Sequence, residues 1–384
     1  MARFIQPRTF RRKTNWVVAN GAELLAPALA AWARRHTVGE PLPPRRWKRA
    51  LILGANHIGD LLYRTASLDA LKQGLPDCDF YYLTAPATAE ILAGQPSLEA
   101  VLPFARSESL LDLSQDHQAA LRDLRFDAAL CTNSNGYWAD LLLAIRLGIP
   151  SRAGYTHKGF SGWVTHPVPM RYPQSFSSYF RGYVAHLTEQ DPTWPLRPRM
   201  YADAAAEEDA QAAWQRHGLG EGRPVIACFV TTRQPTSVWP PEQFGRTLAE
   251  LRRRGNLHIA LCGAVGDRTL LDTINRDFGL DAAVIAGDLG LRALYCLLTK
   301  CAAALVSDSG PRHIANAARL PVYFVRDVRS NRIETGRYLD TEMDLAPPDE
   351  LVPASRQARV LEKIVPESIA DAIIDGLRNA PCRP

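Results

Sequence analysis

The residues with the clearest chemical potential lie in the segment 306–317, where an apolar run ends in a turn of Ser, Gly and Pro. The apolar run predicts a buried strand, and Ser309 and Pro311 are typical of a helix N-terminus. A strand, a tight turn and a helix in this order present backbone N–H groups at the positive end of the helix dipole. The sequence therefore predicts a phosphate site, with Asp308 and His313 beside it to accept and donate hydrogen bonds.

A second turn of the same kind lies at residues 52–60, again between a predicted strand and a predicted helix. Gly59 permits close approach of a ligand to the backbone, and Asp60 is placed to take a proton from an attacking hydroxyl. Asn56 and His57 precede them and are candidate contacts to the group that carries this hydroxyl. One alternative stays open, in which Asp60 only caps the helix.

Strand-like and helix-like segments alternate along most of the chain, a pattern that predicts α/β architecture with parallel sheets wrapped by helices. We predict two doubly wound, Rossmann-like domains that face each other across a cleft, with ligands at the carboxyl ends of the strands. The predicted segments are a basic leader with an amphipathic helix (1–48), an acceptor-side domain (49–190), an interdomain connection (191–222), a nucleotide-sugar domain (223–352) and a C-terminal helix returning towards the first domain (353–384).

The positive charge of the chain is concentrated at its start. The net charge is +5, yet residues 1–50 hold eleven lysines and arginines against two glutamates. No uninterrupted apolar run is long enough to span a membrane. Two interpretations of the leader stay open: a helix resting on anionic lipid with Trp16 and Trp32 at the headgroups, or a helix packed on the first domain.

The seven cysteines form no Cys-x-x-Cys pair, and several lie in apolar runs. They are predicted to be structural cysteines of a protein in a reducing compartment. We expect a cytoplasmic protein.

Taken together, the two turns resemble those of glycosyltransferase family 9, the ADP-heptose:lipopolysaccharide heptosyltransferases, which have the GT-B fold. The resemblance extends over residues 50–325 and includes 58–60 with 68–71, 95–98, 238–244 and, most strongly, 291–322. It implies an inverting, metal-independent transfer of heptose from ADP-heptose to a hydroxyl of a saccharide or glycolipid acceptor, such as the lipopolysaccharide core. No cofactor and no nucleic-acid partner are expected, and the enzyme would work at the inner face of the membrane.

The resemblance also implies roles for individual residues. Asp60 would be the catalytic base, and Asp308 would contact the donor sugar. The remaining donor-side positions would bind the diphosphate or lie near the nucleoside: Thr231, Thr232, Arg233, Asp267, Ser309, Gly310, Pro311 and His313.

Several positions depart from the family pattern, and two of these departures remove a positive charge. Ser237 stands where members usually carry a lysine for the phosphates, and Arg233 is the candidate replacement for that charge. Gly54 stands where members often have an arginine. Three alternatives therefore stay open: a transferase with another donor, a sugar-nucleotide epimerase, or a non-catalytic binding protein that uses its basic leader on membrane or nucleic acid.

Overall fold

The structure, a computed structural model, describes residues 13–54, 57–104, 113–133, 137–170, 174–232, 239–325, 332–345 and 364–379. The chain divides into two compact units between Pro195 and Leu196. The predicted Arg233, Asn56 and Ser237 lie outside the described residues.

The first unit is built on a parallel sheet in the order β3-β2-β1-β4-β5-β6, the doubly wound order in which two halves diverge from β1 and β4. Its strands are β1 Arg49–Leu53, β2 Asp79–Thr84, β3 Ala100–Pro103, β4 Ala128–Cys131, β5 Ser151–Tyr155 and β6 His166–Val168. Its described helices are α1 Lys13–Leu24, α2 Ala26–Arg35, α3 Ile58–Gly74, α4 Pro86–Leu92, α5 Gln115–Asp123, α6 Tyr137–Arg146 and α7 Phe176–Thr188.

The second unit repeats this plan in the order β12-β11-β10-β7-β8-β9. Its strands are β7 Val225–Phe229, β8 His258–Gly263, β9 Ala283–Ala286, β10 Ala303–Ser307, β11 Val322–Val325 and β12 Glu342–Asp344. Its described helices are α8 Ala204–Arg216, α9 Pro241–Arg254, α10 Arg268–Asp277, α11 Leu291–Thr299, α12 Gly310–Ala317, α13 Arg332–Thr335 and α14 Pro366–Asn379.

The central strands are short because they are apolar runs that end where polar turn residues begin. Every residue of β4, β7 and β10 is buried, as expected for parallel strands covered by helices on both faces. The register aligns Leu305 with Cys228 in the second sheet and Leu51 with Ala129 in the first. Parallel strands in register place the polar residues that follow them at one edge of each sheet.

The leader consists of two helices, α1 and α2, and not of the single helix that the sequence predicts. The break at Leu25 has a local cause, since Pro27 lies in the first turn of α2, where a proline has no hydrogen bond to lose. None of the described helices is by itself long and apolar enough to cross a membrane. Trp16–Leu24 and Ala26–Arg35 have the length and composition of a span only as a pair, which meets at a bend of 76°.

The C-terminal helix α14 packs against α9 and β11 of the second unit. Tyr323 Oη donates a hydrogen bond to Ala372 O (3.1 Å), and the carboxylate of Asp371 pairs with Arg254. Helix α8, which belongs to the predicted connection, packs on α11 of the same unit, where Arg292 bonds Asp203 (2.6 Å). The return of the C-terminal segment towards the first domain stays a prediction.

Candidate active site

The predicted phosphate turn lies at the carboxyl end of β10, in the middle of the second sheet. Asp308 N donates to Val325 O (2.8 Å) and Ser307 Oγ to Val230 O (3.1 Å), so the turn is fixed to the ends of both neighbouring strands. The chain connections diverge between β7 and β10, which is the switch point where doubly wound sheets bind ligands.

Helix α12 begins directly after this turn, with Ser309 in the N-cap position and Pro311 in the first turn. The sequence predicts that the Ser309 side chain caps this helix, but it does not. Its hydroxyl donates instead to Ser307 O (3.2 Å). In the first turn, Pro311 has no N–H and Arg312 N donates to Ser309 O (3.1 Å), so the cap side chain leaves the N–H of Gly310 without an acceptor. An N–H at the positive end of a helix dipole favours an anion.

Arg312, for which the sequence predicts no role, holds this turn in position. Its guanidinium is fully buried, stacks on the Phe324 ring (3.5 Å to the centroid) and donates to Asp308 Oδ1 (2.7 Å). It also donates to the carbonyls of Thr335 and Gly336 (2.8 and 2.7 Å). A buried cation is tolerated when its donors are satisfied in this way, so Arg312 orients the Asp308 carboxylate.

The main counterion of Arg312 is Glu342, the first residue of β12. This carboxylate is buried and accepts from Arg312 Nε (2.6 Å) and Nη2 (3.1 Å), a bidentate pairing. It also accepts from Asn316 Nδ2 (2.7 Å) and from the backbone N–H groups of Tyr338 (2.8 Å) and Leu339 (3.3 Å). Glu342 thus ties α12 to the loop before β12.

His313 lies in the same network and is buried. Its Nδ1 is 2.9 Å from Tyr338 Oη, and that oxygen also accepts from Asn316 Nδ2 (2.9 Å). Burial lowers the pKa of His313 well below its ordinary value, and the positive charge of Arg312 lowers it further. The imidazole is therefore neutral at physiological pH, so any hydrogen bond it donates to a diphosphate comes from a neutral ring.

The ends of β7 and β8 bring two more predicted residues together. Thr231 Oγ1 donates to Asp267 Oδ2 (3.1 Å), and the same oxygen accepts from Ala264 N (2.7 Å). Asp267 therefore closes its own turn and positions Thr231 beside the end of β7. Thr232 follows and is half-buried.

In the first unit, Asp60 lies in the first turn of α3, at the edge of the sheet where β1 and β4 diverge. Its side chain is exposed, and no described residue donates a hydrogen bond to its carboxylate. The N-cap residue is the exposed His57, with the half-buried Gly59 between them. This arrangement favours a carboxylate available to a ligand over the alternative in which Asp60 is only a cap.

Arg64, one helical turn after Asp60 in α3, holds the start of this helix in position. It donates to Asp60 O (2.5 Å), Thr132 Oγ1 (2.9 Å) and Thr132 O (3.1 Å), which joins α3 to the end of β4. Gly54 adopts a φ of +126°, and a Cβ there would lie 2.6 Å from Asn133 N. The turn therefore has no room for the arginine that the resemblance leads us to expect at this position.

Comparison with known proteins decides the family. A family model described as glycosyltransferase family 9 (heptosyltransferase) matches residues 115–323, more than half of the chain. The chain belongs to glycosyltransferase family 9. It is therefore a glycosyltransferase, and this assignment disfavours the interpretation as a non-catalytic binding protein.

Named relatives of this family 9 enzyme are distant but cover most of it. Lipopolysaccharide heptosyltransferase 2 of Escherichia coli is 21% identical over 82% of this chain and 88% of its own. The crystal structure of a glycosyltransferase family 9 protein from Veillonella parvula has a TM-score of 0.73 at 17% identity, covering 87% of this chain and 98% of that one. An E. coli heptosyltransferase solved with ADP has a TM-score of 0.65 at 18% identity, covering 85% and 99%. These likenesses confirm the predicted α/β, GT-B type fold.

The network around Asp308 in the family 9 enzyme contains three residues for which the sequence predicts no role, namely Arg312, Tyr338 and Glu342. Only for Arg312 does the sequence give a hint, because it lies four residues after Asp308, a spacing at which opposite charges pair at the start of a helix. Among the described residues, no group of three or more His, Cys, Asp or Glu side chains is placed to hold a metal ion.

Arg152, in β5, is buried and donates to the carbonyls of Ile149, Pro150 and Trp163. Burial lowers the pKa of Arg152 to about 10. Its role is to hold the start of β5 and not to meet a ligand.

Proposed function

We propose that this family 9 glycosyltransferase moves a heptose from ADP-heptose to a hydroxyl of a lipopolysaccharide-type saccharide, with inversion and without a metal ion. The observation that carries the proposal is the turn at Asp308 and Gly310. There, a helix N-terminus lies at the switch point of a doubly wound sheet, and a buried arginine orients a carboxylate beside it. The names of the relatives and the ADP bound by one neighbour support the choice of donor.

In the proposed step, Asp60 accepts the proton of the acceptor hydroxyl as its oxygen attacks the anomeric carbon of the heptose. The bond from that carbon to the diphosphate breaks, and the electron pair leaves with ADP. The N–H of Gly310 and the positive end of the α12 dipole stabilise the charge that develops on the diphosphate. Asp308 accepts hydrogen bonds from sugar hydroxyls, and Thr231 with Asp267 contacts the nucleotide side. The reaction takes place on the cytoplasmic side of the membrane.

Calorimetry with ADP, UDP and GDP tests the donor. We expect ADP to bind and the other two to bind at least tenfold more weakly. Equal affinity for UDP would refute ADP-heptose as the donor, and transfer that stops in EDTA and returns with a divalent cation would refute the metal-independent mechanism.

The role of Asp60 is tested by Asp60→Asn, with Asp77→Asn as the matched control. Asp77 is an exposed aspartate of the same unit whose carboxylate pairs only loosely with Lys48 (3.5 Å). Losing a general base should lower kcat roughly a hundredfold or more while the affinity for ADP is unchanged. A kcat for Asp60→Asn equal to that of Asp77→Asn would remove Asp60 from the mechanism.

A further inference from the structure

The two leader helices are docked on the first unit along one side. Glu23 accepts from both Ser161 N and Ser161 Oγ (2.8 Å each). Gly162 has no room for a side chain, because a Cβ there would lie 2.2 Å from Ala26 O. The Trp32 ring lies 5.8 Å from that of Trp163. The leader is therefore a fixed part of the first unit, as one of the two open interpretations holds.

Four apolar side chains of the leader remain exposed. Val17, Val18, Leu24 and Leu25 are each 58–65% exposed. They fall at i, i+1, i+7 and i+8, so they share one face of α1 and of the residue that follows it. We call these four residues the leader face. Of the eleven exposed large hydrophobic residues among the described ones, six lie between residues 17 and 38.

Exposed positive charge follows the leader face in the next helix. Arg34 and Arg35 lie in the last turn of α2, at the negative end of its dipole, and both are exposed. Within 16–49, where side chains are described, the acidic residues are Glu23, which is engaged by Ser161, and the exposed Glu40. An exposed apolar face followed by exposed arginines in the adjoining helix matches the boundary of an anionic bilayer, where acyl chains lie beneath charged headgroups.

We propose that the leader face lies on an anionic lipid surface and holds the enzyme there with the face buried among the headgroups. A lipid surface fits better than a second copy of this chain, because a symmetric pairing would bring the arginines of both copies together. The inference rests on the proposed function in one respect: an enzyme whose acceptor is linked to a lipid has a reason to stay on the membrane.

The test is co-sedimentation of the full chain with phosphatidylcholine vesicles that contain or lack phosphatidylglycerol. Wild type should bind the anionic vesicles and be released by salt. Val18→Gln/Leu25→Gln, which removes two exposed apolar side chains, should weaken binding about tenfold or more. Arg34→Gln/Arg35→Gln should weaken it roughly 20- to 30-fold on anionic vesicles only. The matched control is Val365→Gln, because Val365 is 52% exposed in the second unit and should have no effect.

The proposal is overturned if wild type binds no more to anionic than to neutral vesicles, or if the leader variants bind as Val365→Gln does. Dimerisation through the leader face in sedimentation velocity would assign it to a second copy, and retention in membranes after alkaline carbonate would indicate insertion. Each variant is also tested for thermal unfolding and for ADP binding in the absence of lipid. Vesicle binding without ADP binding would contradict the proposed function and leave the surface intact, whereas the reverse would contradict only the surface.

Discussion

Removing the charge of Glu342 while keeping its shape is the sharpest test of the network that joins Glu342, Arg312 and Asp308. In Glu342→Gln an NH2 group replaces one carboxylate oxygen. Oε1 accepts from two donors, Arg312 Nε and Asn316 Nδ2, and Oε2 accepts from three, Arg312 Nη2 and the N–H groups of Tyr338 and Leu339. In either orientation the new amide therefore faces at least two donors and leaves them without an acceptor.

The expected cost follows from this count. Two buried donors without acceptors cost about 1–3 kcal/mol each. A second, independent value comes from buried ion pairs, where removal of one partner costs about 3–5 kcal/mol. Both values place the loss of unfolding free energy for the second unit near 3–5 kcal/mol, which corresponds to a fall in Tm of roughly 6–20 °C for a unit of this size.

The measurement is differential scanning calorimetry, with Asp340→Asn as the control. Asp340 lies two residues away in the same loop, where its exposed carboxylate is 3.7 Å from Arg337 Nη2. Solvent screens such a pair, so Asp340→Asn should not change the Tm measurably. Because Arg312 loses its main counterion in Glu342→Gln, it should also hold Asp308 less firmly, and the KM for the donor should rise about tenfold at temperatures where the variant is folded. A Tm and a KM equal to those of Asp340→Asn would refute the assignment of Glu342 as a positioning residue.

Three further predictions follow from single groups. The pKa of His313 is lower in the folded chain than in the unfolded chain. Below about pH 6.5 the unfolded chain therefore binds a proton that the folded chain does not. The free energy of unfolding falls as pH falls, by up to about 1.4 kcal/mol per pH unit. In denaturant titrations from pH 7 to 5, the stability difference between wild type and His313→Asn should therefore shrink, and parallel curves would contradict the burial of a neutral ring. Gly54→Ala should destabilise the first unit by about 1–3 kcal/mol because of its positive φ and the close Asn133 N, whereas Gly182→Ala, with open space around its Cα in α7, should be neutral or stabilising; equal Tm values would contradict the strained turn. Burial raises the pKa of the Cys262 thiol to about 12, so iodoacetamide at pH 7.5 should not label it in the folded enzyme, as peptide mass spectrometry would show, and labelling without unfolding would argue against this core.

Much of the fold can be predicted from the sequence, because buried parallel strands consist of short apolar runs. The runs before Gly54 and before Asp308 predict β1 and β10 to within a residue or two. The sequence does not predict the strands β5, β6 and β12, because they are three to five residues long and contain Arg, His, Pro or Glu. Such strands are defined by the neighbours they pair with and not by their own composition.

The sequence by itself determines the order of elements and the two turns that carry Asp60 and Asp308, because local propensity and hydrophobic periodicity act over a few residues. It also identifies the family to which this order belongs. Only the tertiary structure decides that Arg312 is buried against Glu342, thirty residues away, and that the leader exposes one apolar face while the other packs on Ser161 and Trp163. Both outcomes depend on which surfaces the sheet register and helix packing bring together, and no local pattern encodes that.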